Sequence, residues 1–260
     1  MSHKRYLHQA DEALNPEWHE SLFAVELALL HGSPVYYGAG VPAADGSAVV
    51  LIPGFLHGDA YLIVMYAWLK RLGYRPYYSG IGFNASCPNL LISQVVDRVI
   101  AGAVAATRRK VHLIGHSLGG VIARSIAVQR TEVASVITLA SPVRQTAVRK
   151  RIFQNAEVVR KYLIGHHAER VRPQCLTAQC PCPFMKSLQQ PFPAKVPLTA
   201  IYTRNDGLVE WTSCRTGDPK VDVEVSGTHT GLAFNPSVYG VIADRLAANR
   251  AERAMRSAIA

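Results

Sequence analysis

No uninterrupted apolar run in this sequence approaches the roughly 20 residues that a bilayer-spanning helix needs. The longest, around 22–30 and 59–69, are too short or too broken by polar residues, so no transmembrane segment is expected. Low-complexity tracts and internal repeats are also missing, which excludes a solenoid or fibrous array. Charged residues make up only 18% against 49% hydrophobic, a balance that supports a sizeable core and excludes long disorder. The basic opening Met1–Arg5 leads into Asp11, Glu12, Glu17 and Glu20, not into an apolar run with a cleavage site. A cleaved secretory leader is therefore not expected, and a cytoplasmic location is slightly favoured. Acidic residues are scarce, 18 against 28 Lys and Arg, for a net charge of +10. Much of the excess sits in one segment, at Arg144, Arg149, Lys150, Arg151, Arg160, Lys161, Arg170 and Arg172. That segment could meet an anionic lipid surface peripherally, although a solvated helix face is the simpler reading. No nucleic-acid motif accompanies it, so no nucleic-acid partner is expected.

What is present is an alternation of short strand-like and longer helix-like segments. Val-, Ile- and Tyr-rich runs at 48–53, 74–79, 110–115, 133–139, 198–203 and 221–225 predict strands. Helical spacing predicts helices over 59–72, 90–108, 118–129 and 236–249. This is the rhythm of a mostly parallel central sheet covered by helices on both faces, an α/β fold in a single domain over 1–260. Residues 1–42 form an N-terminal extension with a helix over about 16–30, packed on the core. From 143 to 195 the pattern breaks into basic helical segments and Pro173, Pro181, Pro183, Pro191 and Pro193. That is too long for an ordinary connection, and it predicts a cap-like insertion before the next strand.

A nucleophile is suggested by Gly115-His116-Ser117-Leu118-Gly119-Gly120. Gly-x-Ser-x-Gly alone is a weak pattern, but here an apolar strand ends at Gly115 and an amphipathic helix begins just past Ser117. The alternative, a glycine-rich phosphate-binding turn, lacks the required Lys. In the strand–turn–helix setting, Ser117 is exposed on a strained turn and the Leu118 N–H can donate to an oxyanion.

Near neutral pH a serine hydroxyl needs an imidazole to take its proton and a carboxylate to orient that imidazole. Asp206, just beyond the strand 198–203, and His229, in a polar loop before the last helix, follow in the order Ser, Asp, His. Asn205-Asp206-Gly207 could be only a turn former, with Glu210 as the nearest substitute acid. The loop Pro53-Gly54-Phe55-Leu56 after the first strand offers the Phe55 N–H as second oxyanion donor. Leu56 and His116 are the candidate substrate-contacting side chains.

Together these residues resemble the α/β-hydrolase superfamily, and within it the bacterial lipases and esterases with an Ile-Pro-Gly-Phe loop, a Gly-His-Ser-Leu-Gly-Gly elbow and a Tyr-Thr-Arg-Asn-Asp-Gly-Leu-Val acid turn. The resemblance spans roughly residues 34–248 and implies an α/β-hydrolase fold whose insertion caps the site. It implies Ser117 as nucleophile, Asp206 as acid, His229 as base, and the Phe55 and Leu118 N–H groups as oxyanion donors. Pro53 departs from the pattern, since many such lipases have a histidine there. The implied activity is that of an esterase or triacylglycerol lipase acting on a small-molecule or lipid ester through an acyl-serine, with no metal and no organic cofactor. The same triad could serve an acyltransferase or amidase, which a competing alcohol nucleophile would reveal, and the same fold could serve a non-catalytic binding protein.

Of the five cysteines, Cys175, Cys180 and Cys182 cluster in the insertion, Cys214 follows the acid turn, and Cys87 stands alone. Disulfides, which would point to an oxidising compartment, a four-thiolate zinc site and free buried thiols are all open, with Cys214 expected to join the cluster.

Overall fold

The strand-like runs form six parallel strands in a computed structural model, which describes residues 7–9, 17–143, 146–148, 150–166, 174 and 180–259. They are β1 (Ala48–Ile52), β2 (Arg75–Tyr78), β3 (Val111–His116), β4 (Val133–Leu139), β5 (Leu198–Tyr202) and β6 (Asp222–Glu224). Their order across the sheet is β2-β1-β3-β4-β5-β6, every neighbouring pair parallel. Alternate residues of β1 enter opposite cores, as strand geometry requires. Ala48, Val50 and Ile52 join one apolar cluster, Val49 and Leu51 the other. Both faces are covered, which is why the strands read as nearly continuous apolar runs.

The chain enters at β1, steps outward to β2, then crosses back to β3 on the other side of β1. The strand order reverses between β1 and β3, and open parallel sheets bind ligands outside the carboxyl ends of strands at such a point. The Pro53–Leu56 loop and the Ser117 turn follow these two strands.

The helices are α1 (Phe23–Gly32), α2 (Ile63–Leu72), α3 (Pro88–Thr107), α4 (Leu118–Gln129), α5 (Lys150–His166), α6 (Pro183–Leu188) and α7 (Pro236–Ile259). By length and composition alone α3 could cross a bilayer, although Asp97 and Arg98 break its apolar run. One of its faces, with Leu91, Ile92, Val96, Ile100 and Ala103, is part of the core. A π-helical turn at Ile92–Val96 interrupts it.

The extension and the insertion both reach the core. A 3-10 segment, Glu17–Leu22, leads into α1, whose Glu26 and Leu30 are buried. Leu7–Gln9 pairs in parallel with Thr146–Val148, tying the extension to the start of the insertion, a contact no local pattern foretold. Within the insertion α6 returns to α3, where the Phe184 N–H donates to Asn89 Oδ1 at 3.2 Å. Of the basic residues there, Arg144, Arg149, Arg170 and Arg172 lie outside the described residues, as does Cys175. Arg160 pairs with Glu157 at 2.9 Å.

The return of α6 corrects the expected cysteine arrangement. It carries Cys180 and Cys182 into the same apolar cluster as Cys87, whereas Cys214 packs with Tyr202 and Val209 in a separate one. The partner brought to the insertion is therefore Cys87, and among the described residues Cys214 does not join Cys180 and Cys182. All four described cysteines are free thiols. Burial, reinforced by Cys180 and Cys87, pushes the Cys182 thiol up to about 11. Burial and the Asp206 charge hold the Cys214 thiol well above its ordinary value. Neither is set up as a reactive thiolate.

Candidate active site

Ser117 joins β3 to α4 in a positive-φ conformation, φ 52° and ψ −121°, that side-chain-bearing residues rarely adopt. The turn closes only because its neighbours lack side chains. A β-carbon at Gly115 would overlap the Gly119 carbonyl, and one at Gly119 would overlap the Ile52 carbonyl. The Ser117 N–H donates to the Leu139 carbonyl at 2.8 Å, fixing the turn to β4. Leu118 opens α4, so its N–H has no carbonyl within the helix to meet and stands beside the hydroxyl at the positive end of the helix.

The loop after β1 lies directly against this turn. A β-carbon at Gly54 would come within 2.9 Å of His116 Nδ1 and 3.2 Å of Ser117 Cβ, so only glycine permits the approach. Buried Asn84 holds the loop in place. Its Nδ2 donates to the Pro53 carbonyl at 2.8 Å, its carbonyl accepts the Leu56 N–H at 2.9 Å, and its own N–H donates to the His57 carbonyl at 2.9 Å. Leu56 turns through a positive φ of 59°, and His57 Nδ1 donates to the Phe55 carbonyl at 3.0 Å. Among the described residues nothing accepts the Phe55 N–H. Phe55, Leu56 and Leu118 are half-buried around Ser117.

Asp206 and His229 meet beside the elbow, both almost wholly buried. Asp206 Oδ1 accepts the Leu208 and Val209 N–H groups at 2.9 and 2.7 Å, and Oδ2 accepts from His229 Nδ1 at 2.7 Å. A proton held on Nδ1 leaves Nε2 free to accept one. Glu210, the substitute acid, instead accepts from the Thr212 hydroxyl at 2.7 Å. Among the described residues no hydrogen bond joins Ser117 Oγ to the imidazole. The elbow touches the base loop through His116, whose Nε2 donates to the His229 carbonyl at 2.9 Å and whose ring lies 5.0 Å from that of His229. His116, expected to contact substrate, is thus buried beneath the site as a brace, with Nδ1 aimed at Gly54.

The environment separates the histidines. Burial opposes a charge on His229, but Asp206, by its charge and hydrogen bond, and Glu20, by its charge, together raise its pKa above 6.5. Burial, then repulsion from His229, holds His116 well below 6.5 and neutral. His57 is lowered by burial, partly offset by its bond to the Phe55 carbonyl.

Several residues that brace the site carried no local signal. Glu20 accepts the Gly207, His229 and Thr230 N–H groups at 2.9, 3.2 and 2.8 Å. Glu26 accepts the Thr228 N–H and hydroxyl, each at 3.0 Å. Tyr61 donates its hydroxyl to the Thr230 carbonyl at 2.6 Å, and the Thr203 hydroxyl donates to the Gly227 carbonyl at 2.8 Å. Asp206 and His229 are thus held on two loops that share braces.

Comparison with known proteins bears on the fold. The sequence profile of the PGAP1-like alpha/beta domain matches residues 90–170, which include the elbow. No curated protein sequence matches the chain. Among solved structures, a variant of the pyrethroid hydrolase PytH is 18% identical, with a TM-score of 0.53 over 80% of this chain and 100% of that one. A soluble variant of a monoglyceride lipase from Saccharomyces cerevisiae is 13% identical, with a TM-score of 0.53 over 80% of this chain and 90% of that one. A pyrethroid hydrolase from Sphingobium faniae JZ-2 is 19% identical, with a TM-score of 0.50 over 78% and 98%. The chain has the α/β-hydrolase fold.

Proposed function

We propose that this protein is a serine hydrolase that cleaves carboxylic esters, with Ser117 as nucleophile, His229 as base and Asp206 as its orienting acid. The observation that carries the reading is the buried 2.7 Å contact between His229 Nδ1 and Asp206 Oδ2 beside a serine held at φ 52° on a strand-to-helix turn. Hydrolase neighbours on the same fold agree with it. Catalytic hydrogen bonds often tighten only when substrate is bound, so the absence of a Ser117–His229 bond is compatible with the role.

Two half-reactions follow. As Ser117 Oγ attacks the ester carbonyl, its proton passes to His229 Nε2, and the Asp206 charge stabilises the resulting imidazolium. The negative charge forming on the carbonyl oxygen is met by the N–H groups of Leu118 and Phe55. His229 then gives its proton to the leaving alcohol, and an acyl group stays on Ser117. Water attacks that ester, loses a proton to His229 Nε2, and releases the carboxylic acid as the proton returns to Ser117. No metal or organic cofactor enters these steps.

The half-buried Phe55, Leu56 and Leu118 offer an apolar acyl wall, so the substrate class is an ester with a hydrophobic acyl chain. A panel of p-nitrophenyl esters of increasing chain length, assayed below and above substrate aggregation, tests this. Turnover of medium chains well above acetate is expected. No turnover of any ester would contradict the reading, while a sharp rise on aggregation would mark a lipase that works at a lipid surface.

A further inference from the structure

Glu20 lies nearly a hundred residues before Ser117, in the 3-10 segment of the N-terminal extension, yet it contacts both loops that form the acid–base pair. One carboxylate oxygen, Oε1, accepts the N–H of Gly207, next to Asp206, and that of His229 itself. The other, Oε2, accepts the N–H of Thr230. A carboxylate that takes three backbone N–H groups from two loops fixes their spacing, and charge-assisted bonds of this kind are stronger than neutral ones.

We propose that Glu20 is a positioning residue that locks the Asp206 turn to the His229 loop and supplies a second negative charge beside the base. The proposal rests on the triad reading above. Asp206 holds the ring at Nδ1, while Glu20 acts from the backbone side of the same residue. The extension thereby becomes part of the site it borders.

The other groups around His229 have distinct effects. His116 and His57 face it from the elbow and the β1 loop, and any positive charge on them would oppose an imidazolium. Glu26 reaches the same loop one residue earlier through Thr228, and Tyr61 donates to the Thr230 carbonyl from the opposite side. The Cys214 thiol, beside Asp206, stays neutral. Glu20 is the carboxylate other than Asp206 that bonds to His229 directly, among the described residues.

The test is Glu20→Gln. The amide keeps one acceptor oxygen but loses the charge and turns an N–H₂ toward a backbone donor. The acid limb of kcat/KM, which reports neutralisation of the base, is expected above pH 6.5 in the unaltered protein. It should move down by about half a pH unit or more in the variant, since a nearby negative charge favours the charged imidazole. kcat on the plateau is expected to fall about tenfold, because the charge also stabilises the imidazolium of the transition state.

NMR titration of the His229 ring in a Ser117→Ala background should show the same downward shift without any turnover. That measurement separates the two readings, since it tests the Glu20 coupling even if no ester is hydrolysed. Identical His229 midpoints with and without the Glu20 charge would overturn the proposal and leave Glu20 a structural brace. If Glu20→Gln does not fold, Glu20→Asp carries the test. A charge withdrawn by one methylene should lower the His229 midpoint by a smaller amount, and no change would again overturn it.

Discussion

Asp206→Asn is expected to lower kcat by about 10⁴-fold while leaving the fold in place. Asn has the shape of Asp and keeps a carbonyl oxygen for the Leu208 and Val209 N–H groups that Oδ1 now accepts, so the turn after β5 survives. The atom that changes is the one facing His229 Nδ1 at 2.7 Å. An amide N–H₂ there is a donor, and it forces the ring into the tautomer whose proton sits on Nε2, which can no longer take the Ser117 proton. The imidazolium also loses its counter-charge. Asp206→Ala would remove the turn bonds as well, so the Asn variant isolates the chemistry. Steady-state kinetics with an ester substrate, together with an unchanged circular dichroism spectrum, would establish the effect. A loss below about tenfold would mean that Asp206 does not orient the base.

The second large effect is on stability. Gly119→Ala would place a β-carbon against the Ile52 carbonyl, with the Pro53 carbonyl 2.6 Å away. Both are backbone atoms at the end of a central strand and cannot rotate aside as a side chain could. Relief requires α4 to move off β1, which opens the core between them and shifts the Leu118 N–H out of line with Phe55. The expected cost is about 3 kcal/mol or more, at the upper end of overpacking. For a chain of this size that corresponds to a fall in Tm of roughly 6–12 °C. Gly102→Ala is the control: a β-carbon there meets nothing within 4 Å, and the residue lies in α3, where Ala is the better helix former. Thermal unfolding of the two variants should separate them clearly. Equal Tm values would show that the elbow is not packed against β1 as described.

The sequence disclosed the parts of this molecule that rest on local pattern. The strand runs fell within a residue or two of β1–β6, and α4 over Leu118–Gln129 matched its predicted span. Gly115, Ser117 and Gly119 were visible because a nucleophile turn needs small residues at fixed offsets between a strand and a helix. Asp206 and His229 were visible because each closes a strand in the required order.

What escaped notice depends on contacts between distant segments. Glu20 meets Gly207 and Thr230 across 187 and 210 positions, and nothing in the run Glu17–Leu22 distinguishes an acceptor for three backbone groups from a solvated acid. Asn84 was hidden for the same reason, since its bonds run to Pro53, Leu56 and His57 in another loop. Cys87 and Cys214 exchanged their expected places because spacing along the chain does not report where α6 returns. His116 sits next to Ser117 on a sharp turn, and only its bond to the His229 carbonyl, more than a hundred positions away, shows that its ring points inward.

The central claim is that Ser117 is an activated nucleophile. The measurement that tests it most directly is covalent labelling of the intact protein by a fluorophosphonate, followed by peptide mass spectrometry. A single adduct on the peptide containing Ser117, absent after Ser117→Ala in a variant with unchanged Tm, is the result expected here. Labelling that persists in that variant, or a folded protein that takes no label, would contradict the account.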